Sequence, residues 1–213
     1  LDRKTLVVFL TDNGPQQPRY VGGMRGRKGS VYDGGIRVPC FWRWPGTLEP
    51  GRIIDTPAAH IDVVPTLLEV TGIPAPEMVD GIKQAPIEGT SFAYTFDAEN
   101  AQAPSRHKTQ YFEMMGNRGI YHDGWMASAF HKVPWDTGGS VPFENDKWEL
   151  YNLKKDFSQA VDLAGENPTK LKEMQAIFAE EAKKYGVFPL DDRLAGRLDV
   201  SLRPSWTSGR SKF

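Results

Sequence analysis

The residues with the most chemical potential come early in the chain. The apolar run Leu6 to Leu10 leads straight into Thr11-Asp12-Asn13-Gly14. A carboxylate and an amide side by side offer hard oxygen donors of the kind Ca²⁺ or Mg²⁺ takes. The glycine after them lets the backbone turn away, so that both side chains can face one point. Two donors do not fill the shell of Ca²⁺, which takes about 6–8 oxygens, so further ligands would have to come from elsewhere in the fold. The same tripeptide is also a common turn.

A second stretch, "GMRGRKGSVYDGGIRVP", sets Arg25, Arg27 and Lys28 among glycines. Glycine at this density means a loop that bends sharply and lies close to something. A flexible point cation on such a loop suits a tetrahedral anion, sulfate or phosphate. The alternative is a basic loop facing solvent.

These residues need elements to hold them. Leu6 to Leu10 reads as a strand covered on both faces, because the run is continuous rather than alternating. In open α/β sheets ligands gather beyond the carboxyl ends of the strands, which is where Asp12 and Asn13 stand. Val38 to Trp44 reads as a second buried strand, closed by Pro45-Gly46, with Cys40 a packed thiol within it. Two strands do not close a sheet, so more are expected upstream of Leu1. "HIDVVPTLLEVTG" reads as a helix with Asp62 as N-cap and Gly72 as stop. Ile61, Val64, Leu68 and Thr71 share one face of it. Residues 73–106 read as surface loop with one short helix near Phe92.

The second half changes character. "KTQYFEM", "RGIYHDG", "WMASAFHK" and "KWELYNL" are short, aromatic-rich and separated by turn residues, which predicts an antiparallel meander. Asn167-Pro168 opens a helix whose apolar stripe is Leu171, Met174, Phe178 and Ala182, and Gly186 ends it. That helix is expected to pack on the meander.

The formal net charge of -1 gives no pull toward nucleic acid. No apolar run is long enough to span a bilayer, and the single cysteine leaves no internal disulfide. Neither a nucleic-acid nor a membrane partner is expected.

In their order along the chain, "FLTDNG", "RGRKGSVYDGGIRVP" and "HIDVVPTLLEVTG" resemble the sulfatase family of the alkaline phosphatase superfamily. "QYFEMMGNRGIYHDGWMA", "WELYNLKKDFSQAVDLA" and "PLDDR" resemble its bacterial arylsulfatase branch. The resemblance implies an α/β fold: part of an alkaline-phosphatase-like sandwich, followed by a small antiparallel sheet with a packed C-terminal helix. It divides the chain into residues 1–106 (the α/β part with its metal and sulfate-binding loops), 107–190 (the four-stranded part with its helix) and 191–213, a truncated tail. It implies that Asp12 and Asn13 bind calcium and that Lys28 contacts the sulfate group, as substrate-binding and catalytic residue. Asp33 stands where the family often has glutamate, and reads as loop scaffold.

The resemblance also implies a sulfate ester as the small-molecule substrate and a formylglycine nucleophile, made from Cys or Ser in a Cys/Ser-x-Pro-x-Arg motif. That motif is absent here: "VPCFWRWPG" around Cys40 has Trp42 where it needs proline. The nucleophile is therefore expected upstream, and the chain reads as the C-terminal part of a larger enzyme. A phosphoester or phosphonate ester hydrolase of the same superfamily, or a non-catalytic folded piece, are the other readings. No pair among His60, His107, His122 and His131 has metal spacing. His60 reads as packed at the start of its helix. Trp125, Trp135, Trp148 and Trp206 read as core, and Glu113, Asn117 and Arg118 as turn and sheet-edge residues.

Overall fold

The computed structural model describes residues 4–17, 19–100, 102–133, 135–136 and 142–193. The chain forms two compact units that interleave in sequence. One takes residues 1–12 and 38–110, the other 13–37 and 111–213.

In the first unit, β1 (Val7–Leu10) pairs antiparallel with β2 (Cys40–Arg43), Leu10 opposite Cys40 and Val7 opposite Arg43. Both strands lie where the apolar runs place them, but they are not buried. Val7 is 45%, Phe9 59% and Phe41 63% exposed. Cys40 is exposed too, its sulfur taking the Trp42 indole N–H at 3.2 Å. The expectation of covered strands and a packed thiol therefore fails. Among the described residues no further strand lies beside this two-stranded ribbon, and its faces stay open. Phe9 and Phe41 lean on each other at 6.2 Å, and Trp42 lies edge-on to Phe92 at 5.1 Å and tilted on Phe96 at 5.7 Å.

Helix α1 (Asp33–Ile36) is a single turn in the second unit; α2 (Val63–Thr71) belongs to the first and ends, as expected, on Gly72 in the left-handed conformation. Asp62 precedes α2, yet its carboxylate caps no N–H of that helix. It turns back instead, and accepts the Ala59 N–H and the Thr90 N–H, each at 2.7 Å, and meets His107 Nδ1 at 2.9 Å. Thr66 adds a second anchor: its hydroxyl donates to the Asp62 carbonyl at 2.6 Å and accepts the Phe92 N–H at 3.1 Å. The buried side of α2 is thus chosen by Thr66, while Ile61 and Val64 of the expected apolar stripe stay 45% and 51% exposed. Beyond α2, β3 (Met78–Val79) and β4 (Ile82–Lys83) make a minimal hairpin. A 3-10 turn at Ala93–Phe96 follows, where the short helix near Phe92 is expected.

The four aromatic stretches form the expected meander in order: β5 (Thr109–Met114), β6 (Asn117–His122), β7 (Trp125–Ala129) and β8 (Trp148–Asn152). Ile120 sits opposite Ala127, and Ala127 opposite Leu150, so one row of side chains crosses three strands on one face. Onto that face packs α3 (Pro168–Lys184), through Met174, Phe178 and Ala182. Phe178 meets the Tyr111 and Trp148 rings at 5.4 and 5.5 Å. The alternate row, Tyr121, Met126 and Tyr151, lies one residue along and so on the opposite face. It packs against Tyr32 and Ile36 of the 13–37 segment. Trp125 and Trp148 join the core as expected, Trp135 stays 45% exposed, and Trp206 lies outside the described residues, as does most of residues 191–213.

The Asp62–His107 pair is expected to make stability depend on pH. The hydrogen bond to Asp62, followed by the attraction of its charge, raises the His107 pKa against the opposing effect of burial. A folded-state pKa above the unfolded value of about 6.5 gives stability that is full below that pH and fades as pH rises through the folded value. The urea midpoint of unfolding is therefore expected to fall as pH rises above about 6.5. This component should be missing in His107→Gln, measured by paired titrations of the two proteins. Parallel curves would show that the pair does not contribute.

Candidate active site

The second unit opens at Asn13, and its first segment doubles back on itself. Gly14 donates its N–H to the Gly35 carbonyl at 2.9 Å, and Lys28 donates its N–H to the Pro15 carbonyl at 3.1 Å. The first contact brings backbone against backbone. A Cβ on Gly14 would overlap the Gly34 carbonyl oxygen, and a Cβ on Gly34 would stand 2.6 Å from the Arg25 carbonyl oxygen. Glycine is required at both positions because no side chain fits between the strands of the loop. The Gly34 N–H in turn donates to the Arg25 carbonyl at 2.7 Å.

The loop is pinned to the open face of the β5–β8 sheet. The Arg25 guanidinium lies 4.3 Å from the Tyr32 ring centroid, donates to the Tyr151 hydroxyl, and reaches Glu149 at 3.2 Å. Tyr32 donates its own hydroxyl to Glu149. Burial, followed by that hydrogen bond to an anion, pushes the Tyr32 pKa up, so it stays a donor. The Arg25 N–H donates to the Ser158 carbonyl at 3.1 Å, and the Asp33 N–H to Gln159 Oε1 at 2.8 Å. Asp33 is buried, which raises its carboxyl pKa against the pull of Arg37 at 3.5 Å. It belongs to the scaffold, as its sequence position suggests.

Of the three cations, Arg25 is thus engaged structurally. Arg27 donates to the Gln16 carbonyl at 3.2 Å and lies 5.7 Å from the Trp135 ring centroid. Lys28 is exposed, and its ammonium has no partner among the described residues. It borders an open cleft of about 260 Å³, lined also by Arg25, Ser30, Tyr32, Phe130 and Val133. Asn13, the first residue of the same unit, carries the complementary feature. Its Oδ1 is buried and accepts no hydrogen bond among the described residues. A buried amide oxygen without a donor costs about 1–3 kcal/mol, unless something cationic or protic meets it. A hard cation fits that requirement.

Asp12 is the last residue of the first unit and is exposed. The residue before it is held: His60 Nε2 donates to the Thr11 carbonyl at 2.8 Å. Nothing in the sequence pairs His60 with Thr11, because 49 residues separate them. The Asp62–His107 contact that fixes the same turn is equally invisible, since its partners lie 45 residues apart. Among the described residues, no three His, Cys, Asp or Glu side chains gather into a metal-binding group. Asp12 and Asn13 stay an acid and an amide, which is what the sequence suggests they are.

Residues 1–73 match the family model described as Sulfatase. A sulfatase of Formosa agariphila is 28% identical over 176 residues, covering 78% of this chain and 30% of that protein. Mouse steryl-sulfatase is 38% identical over 99 residues, covering 41% of this chain and 16% of that protein. The chain thus spans less than a third of the length of either relative. Among solved structures, that of Ps i-CgsB in complex with k-i-k-neocarrahexaose superposes with a TM-score of 0.64 at 21% identity, over 99% of this chain and 44% of that one. At that identity the likeness speaks for the fold, the alkaline-phosphatase-like α/β type expected from the motifs.

The backbone interlock makes a direct prediction. Gly14→Ala forces its Cβ into the Gly34 carbonyl and is expected to cost about 1–3 kcal/mol, the range of overpacking. Gly46→Ala, where nothing lies within 4 Å of the added methyl but φ is +85°, should cost only about 1 kcal/mol of backbone strain. Urea unfolding of both variants checks this, and an equal or smaller loss for Gly14→Ala would remove the interlock.

Proposed function

We propose that this chain is part of a sulfatase, and that it supplies two oxygen ligands for a calcium ion and one sulfate-gripping lysine to the hydrolysis of sulfate esters. The finer reading is an arylsulfatase that releases an alcohol or phenol and sulfate. One observation carries it. The buried, unpartnered Oδ1 of Asn13 and the unpartnered ammonium of Lys28 belong, among the described residues, to one folded-back segment, joined by the Lys28–Pro15 and Gly14–Gly35 hydrogen bonds.

The chemistry follows from charge. A sulfate ester reacting at sulfur builds negative charge on its nonbridging and leaving oxygens, and fixed cations aimed at those oxygens lower the barrier. Lys28 would supply such a cation: it borders the cleft on a loop whose neighbours are bonded to the sheet, and its exposed ammonium can reach an anion there. Asn13 Oδ1 and the Asp12 carboxylate would hold the metal, with other residues of the protein completing the shell. A calcium ion held there would act as a Lewis acid on the sulfate oxygens. The nucleophile is proposed to be a formylglycine supplied by residues outside these 213, since no Cys/Ser-x-Pro-x-Arg occurs within them.

The substrate class is read from both sides of the family. Mouse steryl-sulfatase carries a sterol name, and Ps i-CgsB was solved with a neocarrahexaose. For this chain the arylsulfatase-like motifs of the second half imply the sulfate ester of an alcohol or a phenol.

The test is turnover of 4-nitrophenyl sulfate and 4-nitrophenyl phosphate by the intact protein. The sulfate ester should be the faster substrate, and chelation of calcium should stop the reaction. Lys28→Ala should lower kcat/KM by about 10²–10³-fold, the cost of removing one donor from a charge-stabilising site. The 213 residues alone should show no turnover. Preference for the phosphate ester would favour the phosphoester hydrolase reading instead, and near-normal kinetics in Lys28→Ala would remove the role of that loop.

A further inference from the structure

We infer that His60 is a positioning residue for the metal site: it holds the carbonyl just before Asp12 and so fixes where the Asp12 carboxylate emerges. The inference rests on the reading of Asp12 as a calcium ligand. It concerns a residue whose place at a helix start gives it no evident chemistry.

The geometry runs through a chain of hydrogen bonds within the first unit. His60 Nε2 lies 2.8 Å from the Thr11 carbonyl oxygen. A carbonyl can only accept, so Nε2 carries the proton, in either the neutral or the cationic ring. Thr11 leaves β1 one residue after Leu10, whose partner is Cys40. The β1–β2 register ends at that pair, and one residue further on the His60 contact holds the Thr11 carbonyl.

His60 is itself held. It opens the 3-10 turn His60–Asp62, and Asp62 closes that turn by accepting the Ala59 N–H at 2.7 Å. Asp62 is 1% exposed, and its other bonds tie the turn to Thr90 and to His107. Thr66 ties the first turn of α2 to Phe92. The ring of His60 is exposed, but the backbone beneath it is anchored at several points. An exposed side chain on a rigid base can position a neighbour, whereas the same side chain on a free loop could not.

The contact therefore acts one residue away from the metal ligand, in the way outer groups around metal sites orient inner ones. Loss of such groups typically weakens metal affinity by about 10–100-fold. A ligand whose backbone is fixed loses less freedom on binding than one on a swinging strand end.

The experiment measures Ca²⁺ affinity directly, by isothermal titration of the metal-free intact protein, and compares His60→Ala, His60→Gln and Asp12→Ala. Gln ends in an amide N–H at similar reach to Nε2 and can donate to the same carbonyl. His60→Ala is expected to weaken Ca²⁺ binding about 10-fold, the low end of the outer-group range, with His60→Gln restoring most of the loss. Asp12→Ala should lose far more. Metal-free melting temperatures of the two His60 variants should match, so that a loss in affinity is not a loss of folding. If Asp12→Ala loses Ca²⁺ while His60→Ala binds as the parent does, the positioning role is overturned and the metal reading stands. Folded His60→Gln that binds as weakly as His60→Ala also overturns it. Parent-like binding by Asp12→Ala would overturn the metal reading itself.

Discussion

Peptide against peptide, with no side chain between, is the contact on which the candidate site depends. Gly14 lies on Gly34 and Gly35 so closely that a single methyl would overlap a carbonyl. That closure turns a long glycine-rich stretch into a folded-back element. It ties the segment holding Asn13 to the segment holding Lys28, through Gly14 to Gly35 and Lys28 to Pro15. Without it, an amide and a lysine fifteen positions apart in a loop would have no defined separation.

The folded-back element needs a foundation, and the β5–β8 sheet supplies one. Its two faces do different work. Met174, Phe178 and Ala182 of α3 seal one face against Ile120, Ala127 and Leu150. The other receives Tyr32 against Met126 and Tyr151. Polar contacts decorate this second interface, led by Arg25 with Glu149. That ion pair is half-open, with the arginine side chain 42% exposed, and such pairs are worth at most about 1 kcal/mol. Burying an aromatic or methionine side chain contributes about 1.5–3 kcal/mol each. The loop is thus held mainly by packing, and the charges set its register.

Much of this was legible in the sequence, and the rest was hidden for identifiable reasons. The meander and α3 were readable because periodicity, turn residues and the Asn167-Pro168 start all agree with the final packing. The loop was readable as a loop from its glycines. What failed was burial in the first unit. A continuous apolar run says that a strand should be covered, but it does not say by what. Phe9 and Phe41 lie on a ribbon of only two strands among the described residues. The helix stripe of Ile61 and Val64 failed similarly, because hydrogen-bonded Thr66 decides which side of α2 turns inward. Asp12, Asn13 and Lys28 are candidates on the strength of short motifs. Their supports were not: His60 reaches Thr11 and Asp62 reaches His107 across 49 and 45 residues, where no local pattern extends.

The central claim is that the amide oxygen of Asn13 is kept without a protein donor because a cation takes its place. The most direct measurement is a crystal structure of the intact protein grown with calcium and sulfate. A calcium ion is expected about 2.3–2.6 Å from Asn13 Oδ1 and from an Asp12 carboxylate oxygen, with sulfate on the Lys28 ammonium. An Asn13 amide hydrogen-bonded to protein instead, with calcium bound elsewhere or not at all, would contradict it.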